Sequence, residues 1–102
     1  MLDNRSIAYH VNADLIFDTV SKQRESLHAF IAEHINFNTF IVSFAEVKRN
    51  DSAGLAFMVD ALRLGKQLRK TICFEDIPEQ MIAMIHFYNL SSLFIHSKTQ
   101  EN

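Results

Sequence analysis

The stretch that decides the fold runs from an apolar segment, Thr39-Phe40-Ile41-Val42-Ser43-Phe44, to the motif Asp51-Ser52-Ala53-Gly54-Leu55. The β-branched and aromatic residues of the first segment are typical of a buried central strand. The motif opens a helical pattern that reaches about Leu68. A hydroxyl therefore lies where a strand gives way to a helix, beside unpaired backbone N–H groups and the positive end of the helix dipole. Three roles are open to Ser52: helix N-cap, phosphate acceptor or contact point for a partner. Spacing alone favours the N-cap, and this role is compatible with either of the others.

Patterns on either side of this stretch predict alternating strands and helices. Strands are predicted at residues 6–11, 15–17, 39–44 and 71–75, and helices at residues 19–35, 52–68 and 78–88. Strands that alternate with helices favour an α/β fold, with a mixed, mostly parallel sheet of about four strands and helices packed on it.

The composition indicates one small soluble domain over residues 1–102, with 48% apolar residues, 22% charged residues and a net charge of −2. This charge gives no basic field for nucleic acid. The segment 80–97 has no Asp, Glu, Lys or Arg, but its histidines, serines and asparagine favour a buried helix and a short apolar segment over a membrane span. A single cysteine, Cys73, is interpreted as a buried strand residue in a reducing compartment. Residues 98–102 are polar and are expected to fray.

The second predicted helix has an unusually wide apolar surface. At 100° per residue its apolar side chains cover an arc of roughly 220°, whereas one buried face needs only about 100°. The excess at Phe57 and Leu64 is either additional core, which we favour, or a surface for a partner. Gly65 lies inside this helix and costs about 1 kcal/mol relative to alanine, which a close approach between helix and sheet would explain.

No catalytic or cofactor-binding pattern is present in the sequence. Neither a phosphate-binding loop nor a dinucleotide-binding loop can be assembled from Gly54 and Gly65. The five histidines are dispersed, and His28 and His34 lie about 240° apart around their helix, so they cannot chelate one metal ion together. We therefore predict a protein that is not an enzyme and that holds no cofactor or metal.

The chain resembles the STAS domain family, which includes bacterial anti-sigma-factor antagonists and cytoplasmic domains of anion transporters. The resemblance covers about residues 6–95 and rests on Asp51-Ser52-x-Gly54-Leu55 with Val47 upstream. The segment 15–20 is similar to the entry into the family's first helix. Residues 82–90, which end in Tyr88-Asn89-Leu90, are similar to the MlaB branch, the STAS subunits of Mla-type phospholipid ABC transporters. The chain departs from the family at Ser43, where an aspartate is usual, and at Asn50, where an apolar residue is usual.

The resemblance implies a non-catalytic subunit that binds and regulates the ATPase of a phospholipid-transport ABC system maintaining outer-membrane lipid asymmetry. Such a subunit would be cytoplasmic and would reach the inner membrane only through the ATPase and permease, without inserting itself. The alternative is an anti-sigma-factor antagonist whose partner kinase phosphorylates Ser52; Ser43 in place of the acid makes this the second choice. The expected interface residues are Asp51, Ser52, Ala53, Gly54, Leu55, Ala56 and Phe57.

Overall fold

The computed structural model describes the backbone of residues 3–94 and the side chains of residues 5–93. The polar tail predicted at residues 98–102 lies outside the described residues. The strands are β1 (Asp3–His10), β2 (Phe37–Ser43) and β3 (Thr71–Glu75). The helices are α1 (Val20–Glu33), α2 (Ser52–Leu68), α3 (Glu79–Phe87) and α4 (Ser91–Phe94).

The strands form one parallel sheet in the order β1-β2-β3. The predicted α/β class with a largely parallel sheet is therefore confirmed, and the segment chosen from its apolar pattern is the central strand. In the register of this sheet Tyr9 lies beside Val42, which lies beside Phe74. Because the strands are parallel, their carboxyl ends meet at one edge of the sheet, where the loops that lead into α1, α2 and α3 come together.

The strand predicted at residues 15–17 does not form, so the described residues contain three strands rather than about four. Leu15 makes only an isolated parallel bridge to Asn50. The next residues turn, because the backbone N–H groups of Thr19 and Val20 both donate to the carbonyl of Ile16 at 3.0 Å. Three apolar residues gave too short a pattern to distinguish this turn from a strand.

Helices α1 and α2 pack on one face of the sheet, as two successive right-handed crossovers require. Phe30 of α1 makes edge contacts with Tyr9 and Phe40, with ring centroids 5.1 and 6.3 Å apart. Phe57 of α2 makes a similar contact with Phe44 at 6.2 Å. The core therefore lies between the helices and the strand residues that point toward them.

The wide apolar arc of α2 is explained by burial. Phe57 is only 2% exposed, so this side chain belongs to the core as favoured, and Leu64 is partly buried against it. Gly65 lies against β3, where an added Cβ would come within 2.5 Å of Ile72 Cγ1, so the predicted close approach of helix and sheet is confirmed. Cys73 is buried in β3, also as predicted.

Candidate functional site

The helix that starts at the motif is capped by Asp51, and the prediction that Ser52 is the N-cap is wrong. Asp51 has an extended backbone, and its carboxylate Oδ1 accepts a hydrogen bond from the N–H of Ala53 at 2.8 Å. Ser52 is the first helical residue, and its side chain is exposed. Aspartate and serine are both good caps, so sequence preference alone could not choose between them. The contacts of Asp51 with Leu15 and Phe17 favour Asp51 as the N-cap.

Asp51 also joins two loops at the carboxyl edge of the sheet. Its second oxygen, Oδ2, accepts from the backbone N–H of Phe17 at 3.3 Å, and its own N–H donates to the carbonyl of Leu15 at 3.1 Å. The segment before α1 is thereby held against the start of α2. Asp51 belongs to a local sequence motif, but its hydrogen bonds also connect two segments that are far apart in the chain.

Two further contacts fix the shape of the segment before α1. The Asp14 carboxylate accepts from the backbone N–H of Arg49 at 3.1 Å, and the guanidinium of Arg49 lies 3.9 Å from the same carboxylate. The hydroxyl of Thr19 donates to the carbonyl of Asp14 and accepts from the N–H of Ile16 at 3.2 Å. Thr19 occupies the N-cap position of α1, but its side chain makes no cap hydrogen bond because it holds this turn instead.

The turn displays Phe17 to solvent, with 83% of its surface exposed. Sequence reasoning missed this residue. In the chain it is the last member of the apolar run Leu15-Ile16-Phe17, and a period-two pattern would place it on the same side as buried Leu15. The turn at Ile16 cancels that pattern, and its local signal in the sequence is Thr19, whose hydroxyl holds the turn.

The structure divides the predicted interface residues by accessibility. Ser52 and Ala56 are exposed, Asp51 and Ala53 are half-buried, and Gly54, Leu55 and Phe57 are buried. Phe57 is almost fully buried, because its ring fills the space beside Phe44 and only 2% of its surface is exposed, and its contact with a partner stays a prediction. Gly54 and Leu55 support the start of the helix from beneath, where Gly54 lies near Leu15 and Met81.

An open groove of roughly 540 Å3 separates α1 from α2 below Ser52. Asp60 bridges the two helices within it, accepting from Arg24 Nε at 3.0 Å and lying 2.8 Å from His28 Nε2. Partial burial by itself raises the pKa of Asp60, but the hydrogen bonds from His28 and Arg24 together outweigh burial and lower it. Arg63 lines the groove as a second, exposed cation, so the polar part of the groove is positive.

Among residues 3–94 no group of histidine, cysteine and carboxylate side chains could hold a metal ion. No helix in this range has the length and apolar character needed to cross a membrane. Next to Ser52 lie the first backbone N–H groups of α2 and the Asp51 carboxylate, and Arg24 and Arg63 line the groove below it. In this part of the chain the structure shows an exposed hydroxyl on the first residue of a helix.

Comparisons with known proteins agree with this architecture. The family model of the STAS domain matches residues 3–102. No curated protein matches the sequence significantly. The structure is similar to that of the anti-sigma factor antagonist SpoIIAA in its unphosphorylated form, with a TM-score of 0.65 and 14% identity, over 100% of this chain and 84% of that one. At this identity the likeness concerns the fold, and the family model carries the assignment: this chain belongs to the STAS domain family.

Proposed function

We propose that this domain is a non-catalytic docking module of the anti-sigma-factor-antagonist type, whose binding to a protein partner is switched by phosphorylation of Ser52. The observation that carries the proposal is the exposed Ser52 side chain on the first residue of α2, beside a cap that Asp51 already provides. A hydroxyl that does not cap its own helix can be modified without loss of the helix start. The likeness to SpoIIAA supports this role over the transporter role that the resemblance to the MlaB branch favoured.

A phosphate on Ser52 would change the docking surface mainly through charge. It adds about −1.5 to −2 charges at pH 7. The N-terminus of α2 favours that charge, whereas the Asp51 carboxylate, which accepts from Ala53 and Phe17, opposes it. The added group therefore alters partner affinity without needing a change of fold, because it projects from an exposed position.

The second candidate is a subunit of an Mla-type phospholipid ABC transporter, cytoplasmic and peripheral at the inner membrane through the complex. Its support is the segment Tyr88-Asn89-Leu90. Asn89 has a positive φ of 57° at the end of α3, and the chain then brings Leu90 to the groove beside Ser52 and Ala56. In this role the ATPase subunit would contact Ser52 and the start of α2, and docking would favour the ATPase conformation that binds the domain more tightly.

Affinity capture of the tagged full chain from its source cell separates the two candidates. Recovery of an anti-sigma kinase together with a phosphate on Ser52, measured by intact mass and peptide mapping, supports the antagonist role. Recovery of an ABC ATPase and permease with unmodified Ser52 supports the transporter role. Phosphate on another residue only, with no kinase recovered, would reject the switch.

Variants of Ser52 test the docking surface itself. Ser52→Arg is expected to abolish binding of the captured partner while leaving the unfolding midpoint in urea within experimental error, because the side chain is exposed. Ser52→Thr should retain binding in either role. In the antagonist role Ser52→Asp should change the affinity for the partner, and Ser52→Ala should preserve the unphosphorylated complex. Ser92→Arg, at an exposed serine of α4, is the matched control and should bind like wild type. Undiminished binding by Ser52→Arg would place the interface elsewhere.

A further inference from the structure

Phe17 is the most exposed phenylalanine among the side chains that the structure describes. It is 83% accessible, and the similarly exposed Phe87, at 82%, at least packs edge-on against the ring of Tyr88 at 5.2 Å. An isolated exposed apolar residue is ordinary on a protein surface. Phe17 is unusual in the way its backbone is held and in what surrounds it.

The backbone of Phe17 is preorganised by residues from two loops. Its N–H donates to Asp51 Oδ2 at 3.3 Å, and the residues on either side close a turn through the N–H groups of Thr19 and Val20 on the carbonyl of Ile16 at 3.0 Å. A side chain displayed from a fixed turn loses little backbone entropy when a partner covers it. Because Asp51 also caps α2, one residue holds both the backbone of Phe17 and the start of the helix at Ser52.

The loops at the edge of the sheet where Phe17 lies contain more acidic than basic residues. We define the carboxyl-edge loops as residues 11–19, 44–51 and 76–78, which lead into α1, α2 and α3. Their acidic residues are Asp14, Asp18, Glu46, Asp51 and Asp76, and their basic residues are Lys48 and Arg49. Arg49 lies 3.9 Å from Asp14, so these two charges offset each other, and four acidic residues and one basic residue remain in the loops. The excess negative charge selects a partner surface of the opposite sign.

We propose that Phe17 is the anchor of the docking surface and inserts into an apolar pocket on the protein partner that is rimmed by lysine or arginine side chains. The inference rests on the proposed docking function and holds for either candidate partner. The ring supplies buried apolar area at the contact, and the carboxylates of the carboxyl-edge loops pair with the cationic rim. Continuity with Ser52 through Asp51 places both residues in one interface.

The first test uses the partner protein that the wild-type domain captures. This partner is purified, and its affinity for the full-length domain and for each variant is measured. Removing a fully buried phenyl ring at an anchor position is expected to weaken binding about 30-fold or more for Phe17→Ala. Phe87→Ala removes an equally exposed ring elsewhere and should stay within about twofold of wild type. Asp18→Lys should slow association and flatten its dependence on salt concentration. Because Phe17, Phe87 and Asp18 are all exposed, the three variants are expected to keep the wild-type unfolding midpoint.

The outcomes separate this inference from the proposed function. If Ser52→Arg abolishes binding while Phe17→Ala stays within twofold of wild type, docking at Ser52 stands and the anchor is refuted. If both variants bind like wild type, the docking surface itself has been misplaced. Loss of affinity in Phe17→Ala but not in Phe87→Ala supports the anchor.

A second test reads the chemistry of the pocket directly. The photo-reactive residue p-benzoylphenylalanine is placed at Phe17, or at Phe87 as the control, and crosslinked in the source cell. The inference expects an adduct from position 17 whose partner peptide carries apolar side chains beside lysine or arginine. A peptide rich in aspartate and glutamate, a lipid adduct alone, or crosslinking from position 87 alone would overturn it.

Discussion

Replacing Gly65 by alanine should destabilise the domain, although alanine is the better helix former. An added Cβ would lie 2.5 Å from Ile72 Cγ1 and 3.1 Å from the carbonyl oxygen of Lys70. Ile72 is 3% exposed inside the core, and Lys70 is fixed because its N–H donates to the Gly65 carbonyl at 2.8 Å. Neither neighbour can retreat without moving β3 or the end of α2.

The expected magnitude follows from two opposing terms. Overpacking a well-packed core costs about 1–3 kcal/mol, and the rigidity of both neighbours places Gly65→Ala near the upper end. Alanine recovers about 1 kcal/mol of helix propensity. The net loss in the free energy of unfolding is therefore about 2 kcal/mol.

Gly54→Ala provides the control within the same helix. There an added Cβ would meet Leu15 and Met81 at 3.4 Å, an ordinary contact distance, and the methionine can adjust. This variant should be neutral or gain up to about 1 kcal/mol. The free energy of unfolding of both variants is measured by urea unfolding monitored by circular dichroism. The values can be compared if the m-values are unchanged. If Gly65→Ala equals or exceeds wild type in stability, the close packing of α2 on β3 is not the reason for this glycine.

Three other substitutions test the contacts around the site. Asp51→Ala should lower the free energy of unfolding by about 1–2 kcal/mol, since it removes the α2 cap and the link to the preceding loop; a loss below 0.5 kcal/mol in urea unfolding would contradict that double role. Asp60 has a lowered pKa in the folded state, so it contributes stability that is present above its unfolded pKa and is lost as the pH falls through the folded value. Asp60→Asn, which also weakens the bridge to Arg24 and His28, should therefore reduce the dependence of thermal stability on pH in the acid range, where an ordinary carboxyl group is protonated before Asp60 is, and an unchanged pH profile would refute this. The buried Oδ1 of Asn50 has no hydrogen-bond partner among the described residues, so Asn50→Leu should raise the free energy of unfolding by about 1 kcal/mol, and a loss of stability in the same assay would show that the amide makes a needed contact.

Sequence patterns predicted the secondary structure correctly where a long apolar run or a sustained helical period was present. The uninterrupted apolar run at Phe40-Ile41-Val42 required burial, and it became the central strand of a parallel sheet. The helical period from Ser52 to Leu68 gave α2 with matching ends. The motif Asp51-Ser52-x-Gly54-Leu55 led to the STAS family, which the family model confirms.

Tertiary structure decided the features that depend on contacts between distant residues. Whether Asp51 or Ser52 caps α2 could not follow from their similar capping preferences, because the Phe17 N–H that adds to the role of Asp51 lies 34 residues away. Phe57 was ambiguous until packing against Phe44 showed that it belongs to the core. The exposure of Phe17 was not predicted, because it results from a turn held by the Thr19 hydroxyl and by backbone hydrogen bonds, which the apolar run at residues 15–17 does not reveal. Sequence alone therefore determined the class and the family of this protein and the three longer helices, but it gave a strand at residues 15–17 where the described structure has a turn. The detailed form of the candidate surface arose from long-range hydrogen bonds, which local periodicity does not encode.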